Sequence, residues 1–424
     1  MSDPGITDVA HNPDHGADDD YDPFEAFDRA QGAETVADPY PGFGDLLSKC
    51  PVHRGASGEL LEIPNTITLD MLEDGPTYTV FSYRGVEQVL RDHETFSSAG
   101  YAKHMGLVMG HTILEMDEPE HGRYRRLIQQ AFTRKEMDRW EHEFVRPTVN
   151  AAIDGFIGRG RADLVKELTF SFPNQVIAQA MGLPGEDRPQ FYRWGVEITN
   201  MASDPERGFA ASVALGEYFG RLASERREDP GDDLISLLTQ VELDGQRLTD
   251  EEIFAFLRLL LPAGSETTYR SSSNLLYGLL TNPDQLDALR GDRSLVPAAI
   301  EEGLRWEPPL TGIARTAVAD SEIDGVHVPA GASIGVCLGA ANHDPARFDR
   351  PHEFDIRRGQ VNHLAFASGP HMCLGMHLAR METAVMLEIV LDRLPNLRLD
   401  PDADDVRIMG FTFRAPRALP VVFG

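Results

Sequence analysis

Cysteine is scarce in this chain: Cys50, Cys337 and Cys373 are the only three in 424 residues, and no two form a C-x-x-C pair. That excludes a disulfide framework and leads us to expect a reducing compartment. Positive charge is also short, with 39 Lys and Arg against 68 Asp and Glu and a formal net charge of -29. Such an excess opposes binding to nucleic acid and favours solubility. No run reaches the ~18 apolar residues of a membrane-spanning helix. The start "MSDPGITDVAHNPDHG" has neither the basic residues nor the apolar stretch of a secretory leader. G-x-x-x-x-G-K-[ST] and a strand-linked G-x-G-x-x-G are missing too, so no nucleotide site is evident. A soluble, cytoplasmic chain is the expectation.

The composition is that of a globular protein, 42% apolar and 25% charged, with enough apolar residues for a sizeable core. The acidity is partly local. Residues 1 to 38 hold eleven Asp and Glu against the single Arg29, which leaves -19 on the remainder. Residues 1–37 are therefore expected to form an acidic, disordered tail, and 38–424 a single folded unit.

Alternation at Tyr78, Val80 and Ser82 predicts a strand followed by a helix. "EIDGVHVPAGASIGVCLGA" predicts further strands, with Gly325 and "PAG" as turns, and "VRIMGFTFRAP" and "ALPVVFG" the last ones. Between about 117 and 308 the spacing is mainly helical, most of all in "DEEIFAFLRLLLPAGSETTYRSSSNLLYGLLT". No internal repeat and no regular β-α-β alternation interrupt it. The expected fold class is one large domain, mainly α with small β-sheets.

Cys373 lies in "LAFASGPHMCLGMHLARMET". After it, Leu374, Leu378, Met381, Val385 and Ile389 step by three or four, so the thiol sits at a helix N-terminus. Free N–H groups and the helix dipole there favour a thiolate. Gly369 and Gly375 permit close approach of the backbone to something flat or bulky. Three readings are open: a packed core cysteine, a nucleophile with His371 as base, or an axial thiolate on haem iron.

The segment "FASGPHMCLG", Phe366 to Gly375, resembles the haem-thiolate signature of the cytochrome P-450 monooxygenases, Phe-Gly-x-Gly-x-His/Arg-x-Cys-x-Gly, with Ala367 where the second position is usually Gly. Independent pieces agree in the family's order. Glu302 and Arg305 in "EEGLRW" match its Glu-x-x-Arg pair, which the resemblance implies is buried and joined by Arg358. Ala263, Gly264, Ser265, Glu266 and Thr267 match the Ala-Gly-x-Asp/Glu-Thr of its long central helix. Pro262 is unusual there and should bend that helix, because it frees the carbonyl of Arg258. His121 and Arg125 fall on one helix face and, with Arg315 and His371, match contacts to the haem propionates.

The resemblance implies a cytochrome P-450 fold that binds haem b (iron protoporphyrin IX), with Cys373 on the iron. It also implies Phe366, Gly264, Gly369 and Gly375 around the haem, and Glu266 and Thr267 as the catalytic pair that steers protons. The implied reaction inserts one atom of O2 into a C–H bond of a small hydrophobic substrate. Electrons would come from a separate ferredoxin and ferredoxin reductase, with Arg126, Arg134, Lys135 and Arg380 as candidate docking contacts. By family position Met105, Leu107, Val108, Met109, Leu259, Ala263, Leu310 and Ile313 line the substrate pocket. A peroxide-driven peroxygenase of the same fold is the alternative, opposed by the Glu266–Thr267 pair.

Overall fold

The computed structural model describes residues 22–63, 75–201, 203–359 and 361–424. Helices dominate it, as expected, and the small sheets are peripheral. Among the described residues no helix is long and apolar enough to cross a membrane.

The organising element is the central helix, Asp250–Thr281. Its start is fixed by a capping box. Thr249 Oγ1 accepts from Glu252 N at 3.2 Å, and Glu252 Oε2 accepts from Thr249 N at 2.8 Å. At 32 residues and ~1.5 Å rise each, it crosses the whole molecule. The helix runs on through Pro262. Its C-terminal half is buried on nearly every side, and so carries serines bonded back to the preceding turn, such as Ser273 Oγ to Tyr269 O at 2.8 Å. Around it pack the helices Ser171–Ala180, Arg188–Thr199, Pro205–Glu228, Val296–Trp306 and Met376–Arg393.

The larger sheet has five strands in the order Val52–Arg54, Thr77–Val80, Ser333–Cys337, Gly312–Ala317, Phe96–Ser97. Only Thr77–Val80 and Ser333–Cys337 run parallel, in the register Val336 opposite Val80. Ser333–Cys337 is buried on both faces, which suits its apolar sequence.

Two expectations need correction. Ser82 does not continue the strand: its Oγ accepts from Gly85 N at 3.0 Å and caps the helix Tyr83–Arg91. The tail was drawn too long, because Pro23–Ala30 forms a helix capped by Asp22, whose Oδ1 accepts from Phe24 N at 2.8 Å. Acidic composition alone suggested disorder, yet Phe24 and Phe27 give this segment an apolar face that packs on the body. Residues 1–21 lie outside the described residues.

Glu302, Arg305 and Arg358 form one buried cluster. Arg305 Nε and Nη2 each donate to Glu302 at 2.8 Å, and Arg358 Nε donates to both carboxylate oxygens at 3.1 and 3.2 Å. The spare donors of Arg305 hold the carbonyls of Asn342, Pro351 and Glu353. The cluster thereby staples the loop that leads to the cysteine segment. Removing one partner strands buried charge. Glu302→Gln should lower unfolding free energy by about 3–5 kcal/mol in urea titration. A loss below ~1 kcal/mol, typical of a surface pair, would mean that water reaches the cluster.

Candidate functional site

The segment Leu364–Gly375 folds into a tight loop closed by its own backbone. Ala367 N donates to Leu364 O at 2.8 Å, Met372 N to Gly369 O at 3.1 Å, and Cys373 N to Phe366 O at 2.9 Å. Gly369 sits at φ +74, and a Cβ there would lie 2.4 Å from Leu90 O. The loop tip therefore rests directly on the end of the Tyr83–Arg91 helix, and only glycine fits. Arg91 Nε reinforces that contact by donating to Ser368 Oγ at 3.0 Å. Ala367 adopts φ +59, the left-handed region in which a methyl is strained.

Cys373 stands one turn before Met376–Arg393, as the spacing predicted. Burial pushes its thiol up, and the N–H of Gly375 with the nearby Arg125 and Arg380 opposes this. The residue nevertheless has accessible surface. Dense surroundings and accessible surface together describe a side chain that looks into an enclosed hollow. Ala263 shows the same sign: it is exposed in the middle of an otherwise packed helix. A Cβ on Gly375, at the N-terminus of Met376–Arg393, would meet nothing within 4 Å.

Two guanidinium groups and two imidazoles from three segments gather by this loop: Arg125 and His121, Arg315, and His371. The rings of His121 and His371 meet with centroids 4.1 Å apart, tilted 36° to one another. Burial, with positive Arg315, His121 and Arg125 around it, pushes His371 down to about 3. Arg315 is 4% exposed, donates to the neighbouring carbonyl of Ala314 at 2.7 Å, and is hydrogen-bonded to Tyr101. Burial lowers it, with Tyr101 and Asp117 opposing. Arg125 Nη2 donates to Met372 O at 2.6 Å. His121 Nδ1 bonds Glu118 Oε1 at 3.0 Å, while its buried Nε2 has no partner. The surplus of buried positive charge, the orphaned Nε2 and the space beyond Gly375 fit a flat group with two carboxylates and an iron for the thiol. Haem is such a group.

On the central helix, Thr267 Oγ1 donates to Ala263 O at 2.9 Å, the back-bond usual for a helical threonine. Glu266 is buried and turned toward Arg270. Burial raises its carboxyl and Arg270 opposes this. A Cβ on Gly264 would lie 2.9 Å from Ile177 Cδ1, so glycine at this position allows close packing of the Ser171–Ala180 helix.

Of the pocket candidates, Ala263 is exposed, and Met105, Leu310 and Ile313 keep accessible surface; Leu259 is largely buried. Val108 and Met109 are corrected: both are packed in the core, at 2% and 4% exposure, where Ser212 Oγ donates to Val108 O. The side chain of Leu107 lies outside the described residues. Arg380 is also corrected as a docking contact. It is committed to Glu301 at 2.7 and 2.8 Å and lies 4.6 Å from the Phe366 ring centroid. Burial would raise Glu301, but Arg380 and His363 hold it at about 2. Arg126, Arg134 and Lys135 are exposed.

The sequence reading missed Asp28 and Arg270, the partners of Glu266, and Glu382, whose two carboxylate oxygens are buried without hydrogen-bond partners. Burial raises Glu382 well above the usual carboxylate range, with Thr268 opposing. Arg270 had a visible signal, since it follows Glu266 by four residues on a helix.

The family model for cytochrome P-450 matches residues 217–411. The cytochrome P-450 monooxygenase PikC of Streptomyces venezuelae is 35% identical over 92% of this chain and 92% of that protein. The steroid C26-monooxygenase of Mycobacterium tuberculosis H37Rv is 36% identical over 81% of this chain and 87% of that protein. Among solved structures, CYP109E1 from Bacillus megaterium in complex with testosterone superposes with a TM-score of 0.80 and 31% identity, covering 91% of this chain and 99% of that one.

The strained φ of Ala367 gives a direct test of the loop geometry. Ala367→Gly should raise unfolding free energy by up to about 1 kcal/mol in urea titration. A drop would show that the methyl's packing outweighs its backbone strain.

Proposed function

The chain belongs to the cytochrome P-450 family, and on that premise we propose that it hydroxylates a small hydrophobic substrate with electrons from separate carrier proteins. Like its relatives it is a monooxygenase, and it binds haem b. In our reading residues 38–424 form the haem domain, with Pro23–Ala30 packed onto it. The observation that carries the assignment of residues is the loop holding Cys373 beside two imidazoles and the two buried guanidinium groups of Arg125 and Arg315.

Bound haem supplies the oxygen chemistry, and an axial thiolate favours O–O cleavage. The protein's part follows from its own side chains. Cys373 is the iron ligand; the Gly375 N–H and Arg125 favour its thiolate form. His121, Arg125, Arg315 and His371 hold the propionates through charge-assisted bonds. Glu266 takes up protons and Thr267 passes them inward. Its proton lies on Ala263 O, so the Thr267 hydroxyl has its lone pairs free to accept a hydrogen bond, and it passes a proton inward by giving up the bond to Ala263 O as it receives one. Met105, Ala263, Leu310 and Ile313 present apolar surface to the substrate and keep water out. The names of relatives that act on or bind steroids agree with an apolar ligand.

For the electron donors, a ferredoxin and its reductase, the supporting feature is a groove of about 850 Å³ beside the cysteine loop. Arg84, Arg91 and Arg347 border it around Met372, which is 37% exposed. In a chain of net charge -29, that positive patch suits an acidic carrier.

A visible spectrum of the reduced, carbon monoxide-treated protein should show the red-shifted Soret band of a thiolate ligand. A band at the ordinary position would remove Cys373 from the iron. Thr267→Ala should keep that band but lower product formed per electron consumed, by at least about tenfold. An unchanged yield would rule out the relay.

A further inference from the structure

Glu266 does not face bulk water. It is 9% exposed, and Arg270 Nε and Nη2 donate to its Oε1 at 2.8 and 2.6 Å. The same Nη2 donates to Asp28 Oδ1 at 2.6 Å. Arg270 is itself 3% exposed, held among the rings of Phe27, Tyr269 and Phe413 at 5.6, 4.8 and 5.8 Å. One guanidinium thus ties two carboxylates together, and one of them belongs to the helix Pro23–Ala30.

Beneath that helix is a cavity of about 10 Å³, just enough for one water molecule. Phe24 and Phe27 close it on one side; Tyr192, Thr199, Ser265 and Glu266 form its polar wall. Tyr192 Oη is buried with no hydrogen-bond partner. An unpartnered hydroxyl on a small cavity that the Glu266 carboxylate also lines, beside Asn174, Thr199 and Ser265, meets the requirement for an ordered water.

We infer that the N-terminal helix is part of the proton route: Asp28 positions Glu266 by sharing Arg270 with it, and the cavity below holds the water that hands Glu266 its proton. This rests on the relay reading of Glu266. The transfer moves one proton from the water to Glu266 Oε2, and the water regains a proton from bulk solvent past Asp28. No heavy-atom bond and no electron moves.

The charges decide the direction of control. The groups facing Glu266 are Arg270 and Tyr269 on its own helix, Asn174 on Ser171–Ala180, Tyr192 and Thr199 on Arg188–Thr199, and Asp28. After burial, Arg270 favours the carboxylate and Asp28 opposes it. Left to Arg270 alone, Glu266 would be fixed as an ion pair. Asp28 takes part of that cation and adds a like charge, so Glu266 can accept a proton as well as release one. Asp28 is therefore a positioning residue and does not touch the reacting atoms.

The test uses the full-length, haem-loaded protein and the infrared carbonyl stretch of protonated Glu266, identified by its loss in Glu266→Gln. In Asp28→Asn the pH midpoint of that band should fall by about one unit or more, and product per electron should drop several-fold. Asp28→Glu should restore both. Tyr192→Phe keeps both ion pairs and should shift the band to that of a carboxyl with one hydrogen bond fewer. It gives a result even if Asp28→Asn loosens the helix. An unchanged midpoint and yield in Asp28→Asn, alongside a collapsed yield in Glu266→Gln, overturns the role of Asp28. An unshifted band in Tyr192→Phe overturns the water. If Glu266→Gln keeps full product yield, the relay reading fails, while the infrared midpoint still reports whether Asp28 governs Glu266.

Discussion

Buried positive charge without its counter-charge is the constraint on which the site depends. Two guanidinium groups and two imidazoles from three segments are drawn out of water and set close together. Burial lowers the affinity of both guanidinium groups and of His371 for protons, and two carboxylates close by are already engaged: Glu118 by His121 and Gly122, Asp117 by Ser97 and Ser98. A protein holds such an arrangement only where something anionic completes it. In the proposed assignment the two propionates of haem would do so, with Cys373 as the iron ligand. The cofactor is thus a structural component as well as a reagent, because it neutralises the polypeptide that surrounds it.

The mechanical frame of the site is separate from its electrostatics. Glu302, Arg305 and Arg358 fix the loop that approaches the cysteine segment, and the contact of Gly369 with Leu90 fixes the segment itself. Neither set needs the cofactor to form its bonds. The cysteine is therefore presented by a scaffold whose contacts join protein atoms alone.

Legibility in the sequence followed the range of the interactions. Local, chemically rare patterns could be read directly: Cys373 before an apolar stripe, the Glu302–Arg305 spacing and the long central helix. Contacts between distant segments could not. Asp28 lies 242 positions from Arg270, inside a stretch whose charge density looked like that of a solvated tail. The contact of Gly264 with Ile177 could not be read either, since no pattern in the sequence reveals what packs on that side of the helix. Val108 and Met109 share a helix face with Met105, yet the neighbouring helices cover those two and leave Met105 partly accessible. Helical periodicity identifies a face but not what packs against it.

The parallel pairing of Thr77–Val80 with Ser333–Cys337 has a consequence for assembly. It joins segments about 250 residues apart, and closing so large a loop costs entropy before any contact rewards it. Gly312–Ala317, which carries Arg315, pairs with Ser333–Cys337 in the same sheet. The helical core, rich in local contacts, can condense early, whereas the sheet that carries Arg315 is complete only when the two ends of the chain meet. Haem capture then becomes a late event in folding, timed by the β-strands although the helices make up most of the protein.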